Sequence, residues 1–182
     1  MPPEWTIRGA QPEDEAAVLE VANAHGNRMW GEDTVGPDEV HQWFTDPVID
    51  NEHDFLLAVG GDGLLAGFMI VEDPATDHSV VWTRVVLHPE RGTVEIGEAL
   101  FERAEARAKT RGAAGATQRG GCAAPDQRIA AILQRRGYRL VRHFFRMIAP
   151  LDEEPAAPVW PEGLELRPVD PDGDLMPLFI AD

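Results

Sequence analysis

The fold of this chain is decided by the stretch Val85-Val86-Leu87-His88-Pro89-Glu90-Arg91-Gly92-Thr93-Val94-Glu95-Ile96-Gly97-Glu98-Ala99-Leu100-Phe101. Its β-branched beginning predicts a strand that stops at His88-Pro89, and the apolar spacing around Gly97 predicts a helix. A short loop that contains glycine joins the two. Backbone amides at the beginning of such a helix point towards an anion, so this layout is typical of a phosphate-binding loop. Two carboxylates, Glu95 and Glu98, fall where the anion would lie.

The composition indicates a globular protein with an acidic surface. The chain has 182 residues, of which 43% are hydrophobic, and this is enough for one domain with a core. The formal net charge of −16 argues against nucleic acid and anionic membranes as partners. No apolar run reaches the length of a membrane span, and the beginning of the sequence has no secretory pattern. We therefore expect a cytoplasmic protein.

Cysteine and histidine give little sign of a metal site. Cys122 is the only cysteine, so a disulfide framework is excluded, and we predict that it is a small buried residue. The six histidines form no close pair along the sequence. We therefore expect no bound metal.

Hydrophobic periodicity extends the pattern on both sides of the opening stretch. The predicted strands are 5–8, 54–59, 64–71, 79–87, 113–122 and 140–148. The predicted helices begin at Pro12 and Pro37, cover about 96–111, and begin again at Pro125-Asp126, with Asp126 as the N-cap. Residues 26–36 are predicted to form a loop. The order indicates a mixed α/β (α+β) fold with a mostly antiparallel central sheet flanked by helices.

The composition changes after residue 149, which predicts a domain boundary. Residues 150–163 are rich in proline and acidic residues, as linkers are. The stretch 165–175 then resembles 6–16, with arginine matching arginine and proline matching proline. We therefore expect one domain at 1–149, a linker at 150–163, and the beginning of a second, truncated copy at 164–182.

With these elements and the His-Pro loop in front of Ile96-Gly97, the chain resembles the GNAT N-acetyltransferase family over residues 5–149. The second beginning at 164 resembles the tandem-domain arrangement of actinobacteria, which mycothiol synthase represents. The resemblance implies acetyl-CoA as the acyl donor and an amine of a small molecule or peptide as the acceptor. It also implies a second GNAT-like domain as a partner within the full-length chain.

The resemblance implies a donor site around the opening stretch. In the family, the backbone of the central strand holds the pantetheine arm and the loop holds the pyrophosphate, while the strand that follows Ala113 splays away to open a wedge. Carried over to this sequence, the implied acetyl-CoA-binding residues are Val85, Leu87, Arg91, Gly92, Thr93, Val94, Ile96, Gly97 and Asp126.

Several residues depart from the family pattern. The family has arginine or glutamine where this chain has Gly92, and glycine where it has Thr93 and Glu95. A tyrosine that acts as an acid in many members falls on Leu133. Two hypotheses therefore stay open: residues 5–149 catalyse acetyl transfer, or they form a degenerate, non-catalytic module that supports an active second domain.

The sequence assigns no catalytic residue. Candidates for a general base are Glu72, Asp73 and His78, although a role as ordinary turn residues explains them better. Candidates for an acceptor pocket are Met29, Trp30 and Trp82, which core packing explains equally well.

Overall fold

A five-stranded sheet forms the centre of the fold in the computed structural model, which describes residues 5–74, 77–147, 152, 155–164, 167–170 and 173. The strands are β1 (Trp5–Gly9), β2 (Phe55–Gly60), β3 (Leu65–Glu72), β4 (Val80–Leu87) and β5 (Thr117–Gly121). The helices are α1 (Glu15–Trp30), α2 (Pro37–Thr45), α3 (Val94–Arg111) and α4 (Gln127–Arg135).

The strands lie side by side in chain order, and only the last pair is parallel. β1 to β4 pair antiparallel, as a meander with short turns requires. β5 returns parallel to β4 because α3 carries the chain back along the sheet between them. The mixed, mostly antiparallel sheet flanked by helices confirms the predicted fold class.

Helices cover both faces of the sheet. On one face, Val18 and Val21 of α1 and Phe44 of α2 pack against Phe55 and Phe68. On the other face, α3 and α4 share a second apolar cluster with β4. β3 is buried at all positions from Leu65 to Val71, because both of its faces are covered. The apolar stripes of α1 and α4 are therefore part of the core.

Two predicted elements are wrong. α1 runs through Gly26 to Trp30, and it is Gly31, with φ of +81°, that ends the helix in the left-handed conformation. Residues 140–147 form neither helix nor strand, and their large apolar side chains, such as Phe145 at 84%, are exposed. A period-two pattern becomes a strand only when a neighbouring edge pairs with it, and no described strand pairs with this segment. Ile148 lies outside the described residues.

The chain divides into two compact units, Met1–Val141 and Arg142–Asp182. All helices and strands among the described residues belong to the first unit. Most of the predicted second copy, 164–182, lies outside the described residues. Where the structure is described, no helix is both long and apolar enough to cross a membrane.

A buried carboxylate ties α3 to the beginning of β2. Asp54 is completely buried, and it accepts hydrogen bonds from Arg107 Nε at 2.6 Å and from Arg111 Nη1. The backbone amide of Asp50 donates to its second oxygen at 2.9 Å. Two arginines in the last turns of α3 also suit the negative end of the helix dipole.

We predict that Asp54→Asn lowers the free energy of unfolding by about 2 kcal/mol, because Arg107 and Arg111 lose the buried charge that they share. Their other carboxylates are more distant, Asp50 at 3.6 Å from Arg107 and Asp73 at 3.9 Å from Arg111. The expected loss is below that of a fully buried pair, since both arginines are partly exposed.

The pair of Arg8 and Asp14, whose carboxylate is not completely buried as that of Asp54 is, serves as the control, and Asp14→Asn costs under about 1 kcal/mol. Urea unfolding measures both, and equal losses would contradict the prediction.

Candidate functional site

The two parallel strands part before β4 ends, and this creates the opening at which the candidate site lies. The ladder between them runs from Val80↔Thr117 to Arg84↔Gly121 and then stops. β4 continues for three more residues, paired only with β3 on its other side. Ligands of α/β sheets bind at the carboxyl ends of parallel strands, where such a crevice opens.

His88 fixes the loop that follows β4. Its Nδ1 accepts hydrogen bonds from the amides of Glu90 and Arg91, both at 3.1 Å, and its carbonyl accepts from the amide of Gly92 at 2.9 Å. The neutral ring therefore carries its proton on Nε2, which lies 3.3 Å from Glu20 Oε1. Burial lowers the pKa of His88, and the charge of Arg91 lowers it further. The loop is built on a neutral histidine.

Gly92 is required by close packing. A Cβ atom there would lie 2.7 Å from the carbonyl oxygen of His88 and 2.9 Å from that of Ala66. Gly97 is similarly close to α4, since its Cβ would lie 2.6 Å from Ile132 Cδ1. The arginine or glutamine of the family pattern therefore has no room at position 92 in this loop.

A carboxylate of the chain itself occupies the beginning of α3. Thr93 is the N-cap, and its hydroxyl accepts from the amide of Ile96 at 3.3 Å. The pKa of Glu95 is lowered by a hydrogen bond from the backbone amide of Glu95 itself and by a second one from the Thr93 hydroxyl. The amides of the first turn have no acceptor within the helix, so they are the ones that a bound anion would use. Glu95 lies in the same turn and brings a negative charge close to these amides.

Glu98, the other acid of this segment, does not face the loop. Its carboxylate accepts hydrogen bonds from Arg135 at 2.7 Å and from Arg136 at 3.1 Å, which joins α3 to α4. The hydrogen bond from Arg135 lowers the pKa of Glu98 most, and the hydrogen bond from Arg136 lowers it further. Its role in the structure is to hold two helices together.

The two arginines near the loop are already engaged. Arg91 donates from Nε to the carbonyl of Leu65 at 2.9 Å, and its Nη2 pairs with Glu20. Arg128 donates from Nη1 to the carbonyls of Gly92 at 2.9 Å and Pro89 at 3.2 Å. Arg91 therefore anchors the loop to β3 and α1, and Arg128 supports the loop from α4.

Sequence reasoning missed Arg128, although one signal marked it. A basic residue in the first turn of a helix opposes the helix dipole, so it needs another reason to be there. In α4 that reason is the loop, whose carbonyl oxygens the guanidinium binds.

Asp126 joins α4 to α1. Its carboxylate caps α4 by accepting from the amides of Arg128 and Ile129 at 3.1 Å, as the sequence predicted. It also lies 3.1 Å from Nε2 of His25, which is 101 residues away along the chain. Burial favours the neutral acid, but the hydrogen bonds from His25 and Ile129 outweigh it, so the pKa of Asp126 is lowered. This carboxylate is therefore ionised and paired with a histidine.

Both strand ends thus meet α1. Glu20 contacts His88 and Arg91 after β4, and His25 contacts Asp126 after β5. The edge of the Trp30 ring also lies against His25, with 6.0 Å between ring centroids. Nothing in the local sequence marks His25, since its partner becomes visible only in the folded chain.

The structure distributes the remaining predicted donor-site residues between core and surface. Val85, Leu87 and Ile96 are buried in the cluster of α3 and α4, so only their backbone can meet a ligand. Val94 is the first residue of α3 and is exposed. The structure brings Gly92, Thr93 and Arg91 together in one loop beside the opening.

The predicted acid and base candidates are scattered. Asp73 Oδ2 lies 2.6 Å from His78 Nδ1 in the turn before β4, and Glu72 lies 3.7 Å from Arg84. Leu133 is buried in the core, and Trp82 lies on β4 apart from Trp30.

Two other reactive side chains offer little as acids or nucleophiles. Tyr138 packs edge-on against Phe101, and burial raises its pKa to about 12. Cys122 is exposed, so the prediction of a buried cysteine is wrong. Partial desolvation and the charge of Asp126 raise the pKa of its thiol, which keeps it protonated at neutral pH.

Solved structures of acetyltransferases share this architecture. A GCN5-related N-acetyltransferase from Sphaerobacter thermophilus matches with a TM-score of 0.81 and 22% identity over 100% of this chain and 58% of that one. A GNAT superfamily phosphinothricin acetyltransferase from Sinorhizobium meliloti, in complex with AcCoA, matches with a TM-score of 0.58 and 17% identity over 74% of each chain. Ard1 from Thermoplasma volcanium matches with a TM-score of 0.59 and 13% identity over 76% of this chain and 85% of that one.

At these identities the likeness establishes the fold, which is the GNAT fold that the sequence predicted. The chain spans 58% of the length of the Sphaerobacter protein. No protein-family model and no curated protein matches it.

We predict that protonation of His88 at acidic pH destabilises the loop and lowers the free energy of unfolding. The unfolded chain binds a proton at this histidine near pH 6.5, whereas the native state does so only at lower pH. The free energy of unfolding therefore falls as the pH drops from about 7.5 towards 5. His88→Asn is the matched variant, because the Asn oxygen can still accept from the loop amides but does not titrate. Urea unfolding across this range should show a smaller fall for His88→Asn, and equal slopes would contradict the prediction.

Proposed function

We propose that this domain is an acetyl-CoA-dependent N-acetyltransferase that transfers the acetyl group to an amine of a small molecule or peptide. The observation that carries the proposal is the opening between β4 and β5, with a fixed loop and the beginning of α3 on one side of it. Related folds include a phosphinothricin acetyltransferase solved with AcCoA. Acetyl-CoA would be the acyl donor, and the predicted donor-site residues from Val85 to Gly97 stay candidates for binding it.

Backbone groups would carry most of the donor recognition in this chain. Val94 and Glu95 lie in the first turn of α3, whose amides can bind phosphate oxygens without help from side chains. The pantetheine arm would lie along the unpaired edge of β4 beyond Arg84. Asp126, which is committed to His25 and to the cap of α4, is a weaker candidate for contact with the donor.

The second candidate function is a non-catalytic module that supports an active second domain. It is favoured by one specific observation: Glu95, an acidic residue, lies in the first turn of α3, where a bound anion would lie. Arg91 is tied to Glu20 and so does not offset this charge. The two candidates differ in whether the domain binds acetyl-CoA at all.

Calorimetric titration of the 182-residue chain with acetyl-CoA separates the two candidates. We predict micromolar binding, and we predict that Glu95→Gln tightens it about fivefold, because a charge beside the pyrophosphate is worth about 1 kcal/mol at a partly exposed site. Glu102→Gln removes the same charge from an exposed position of α3 and is the control. Absence of binding in both the wild type and Glu95→Gln would contradict the transferase proposal and favour the second candidate.

Within the transferase proposal, His25 would accept the proton of the acceptor amine. Nucleophilic attack on the thioester needs a neutral amine, so a base must take a proton from the ammonium group. The carboxylate of Asp126 holds Nε2–H of His25, which leaves Nδ1 as the acceptor nitrogen. The proton would move from the amine nitrogen to Nδ1 before the C–S bond of the thioester breaks.

We predict that His25→Gln lowers kcat about 100-fold at neutral pH and removes the acidic limb of the kcat/KM profile. Glutamine can keep a hydrogen bond to Asp126, so α1 and α4 stay joined, and the KM for acetyl-CoA should be unchanged. Release of the CoA thiol, measured with α-amino acids, their amides and short peptides as acceptors, is the assay. His41→Gln, at the exposed pair with Glu15, is the control. An unchanged pH profile in His25→Gln would exclude His25 as the base.

We also propose that the domain belongs to a longer, two-domain chain of the tandem type that mycothiol synthase represents. The first domain would be residues 1–149, the linker 150–163, and the second domain would begin at 164. This chain spans 58% of the Sphaerobacter protein, so that protein has room for a further domain. We propose a cytoplasmic enzyme, and the charge of −16 argues against nucleic acid and anionic membranes as its partners.

A further inference from the structure

Two arginines of β4 and β5 lie over tryptophan rings on the face of the sheet that α1 and α2 cover. The guanidinium carbon of Arg84 is 5.1 Å from the centre of the Trp43 ring, and that of Arg119 is 5.4 Å from the centre of the Trp82 ring. We call these four residues the arginine–tryptophan patch. Trp43 belongs to α2 and Trp82 to β4, while the two arginines lie on neighbouring strands and give this face positive charge in a protein whose net charge is −16.

The register of the strands places the patch at the opening of the candidate site. Trp82 and Arg119 are paired directly across the two strands, and Arg84 occupies the last rung before the strands part. The side chains of β4 alternate, so Trp82 and Arg84 share the face of Val86, which packs against the cluster of α1 and α2. The patch therefore borders the opening on the face opposite α3.

The charge of the patch is only partly neutralised within the chain. Glu72 lies 3.7 Å from Arg84, which is a long ion pair between two partly exposed side chains. Among the described residues, no carboxylate lies within ion-pair distance of Arg119, which is exposed. Two guanidinium groups and one carboxylate leave a formal charge of +1. This charge matches a ligand group with a single negative charge.

We propose that the arginine–tryptophan patch binds a carboxylate of the acceptor, so that the acceptor is an amine that also carries a carboxylate. This inference rests on the proposed acetyl transfer and adds the substrate class. Arginine binds carboxylates through two parallel N–H donors, and stacking on an indole ring holds the guanidinium plane in place. With its carboxylate on the patch, the amine of the acceptor would point towards the end of the β4–β5 ladder, where the thioester would lie.

The test uses a pair of ligands that differ only in the carboxylate. N-Acetylglycine and N-acetylglycinamide both resemble products of the reaction, and only the first is an anion. The indole N–H signals of Trp43 and Trp82, assigned with Trp43→Phe and Trp82→Phe, report binding to the 182-residue chain by NMR. We expect N-acetylglycine to shift both signals in a saturable way and the amide to bind at least tenfold more weakly.

Charge substitutions identify the residues responsible. Arg84→Gln and Arg119→Gln should each weaken the binding of N-acetylglycine at least fivefold. Arg103→Gln removes the same charge from the exposed side of α3 and should leave the binding unchanged. Equal binding of the two ligands overturns the proposal, and so does binding that neither Arg84→Gln nor Arg119→Gln weakens. Unmoved indole signals at high N-acetylglycine overturn it as well.

Titration with acetyl-CoA in the same samples separates this proposal from the proposed function. If acetyl-CoA binds and N-acetylglycine does not, the substrate class is wrong and the transferase proposal stands. If N-acetylglycine binds at the patch and acetyl-CoA does not bind, the transferase proposal fails, and the patch is a carboxylate site with another use.

Discussion

The parallel pairing of β4 with β5 extends over only five rungs, and the candidate site depends on this short ladder. Because β4 continues to Leu87 after its partner has turned away, three residues of a central strand border an opening instead of a neighbour. The loop at His88 begins where β4 ends, and Asp126, which caps α4, comes after the end of β5. A longer ladder would close the opening and leave the loop without a crevice to face.

Electrostatics then determines what the opening can bind. The cations next to the loop are used to build it, since Arg91 binds the carbonyl of Leu65 and Arg128 binds those of Pro89 and Gly92. On the opposite face, the guanidinium groups of Arg84 and Arg119 are stacked on indole rings and only partly neutralised. The positive charge that the loop does not use therefore lies on the face of the sheet opposite α3.

Helix α1 has a structural role that connects these parts. Glu20 contacts the loop after β4, and His25 contacts the cap after β5, so one helix touches both strand ends. The neutral state of His88, which accepts two loop amides, couples the shape of the loop to pH.

The sequence by itself determined the order of the elements and the cap at Asp126, because periodicity, turn residues and caps are local properties. It placed the end of α1 at Gly26, whereas the helix ends at Gly31. It also predicted a strand at 140–148, which would need a neighbouring strand to pair with. Only the tertiary structure joined His25 to Asp126, stacked Arg119 on Trp82, and gave Gly92 a packing role that excludes an arginine there. These contacts join residues far apart in the chain, and no local pattern encodes which distant side chain will meet a given residue.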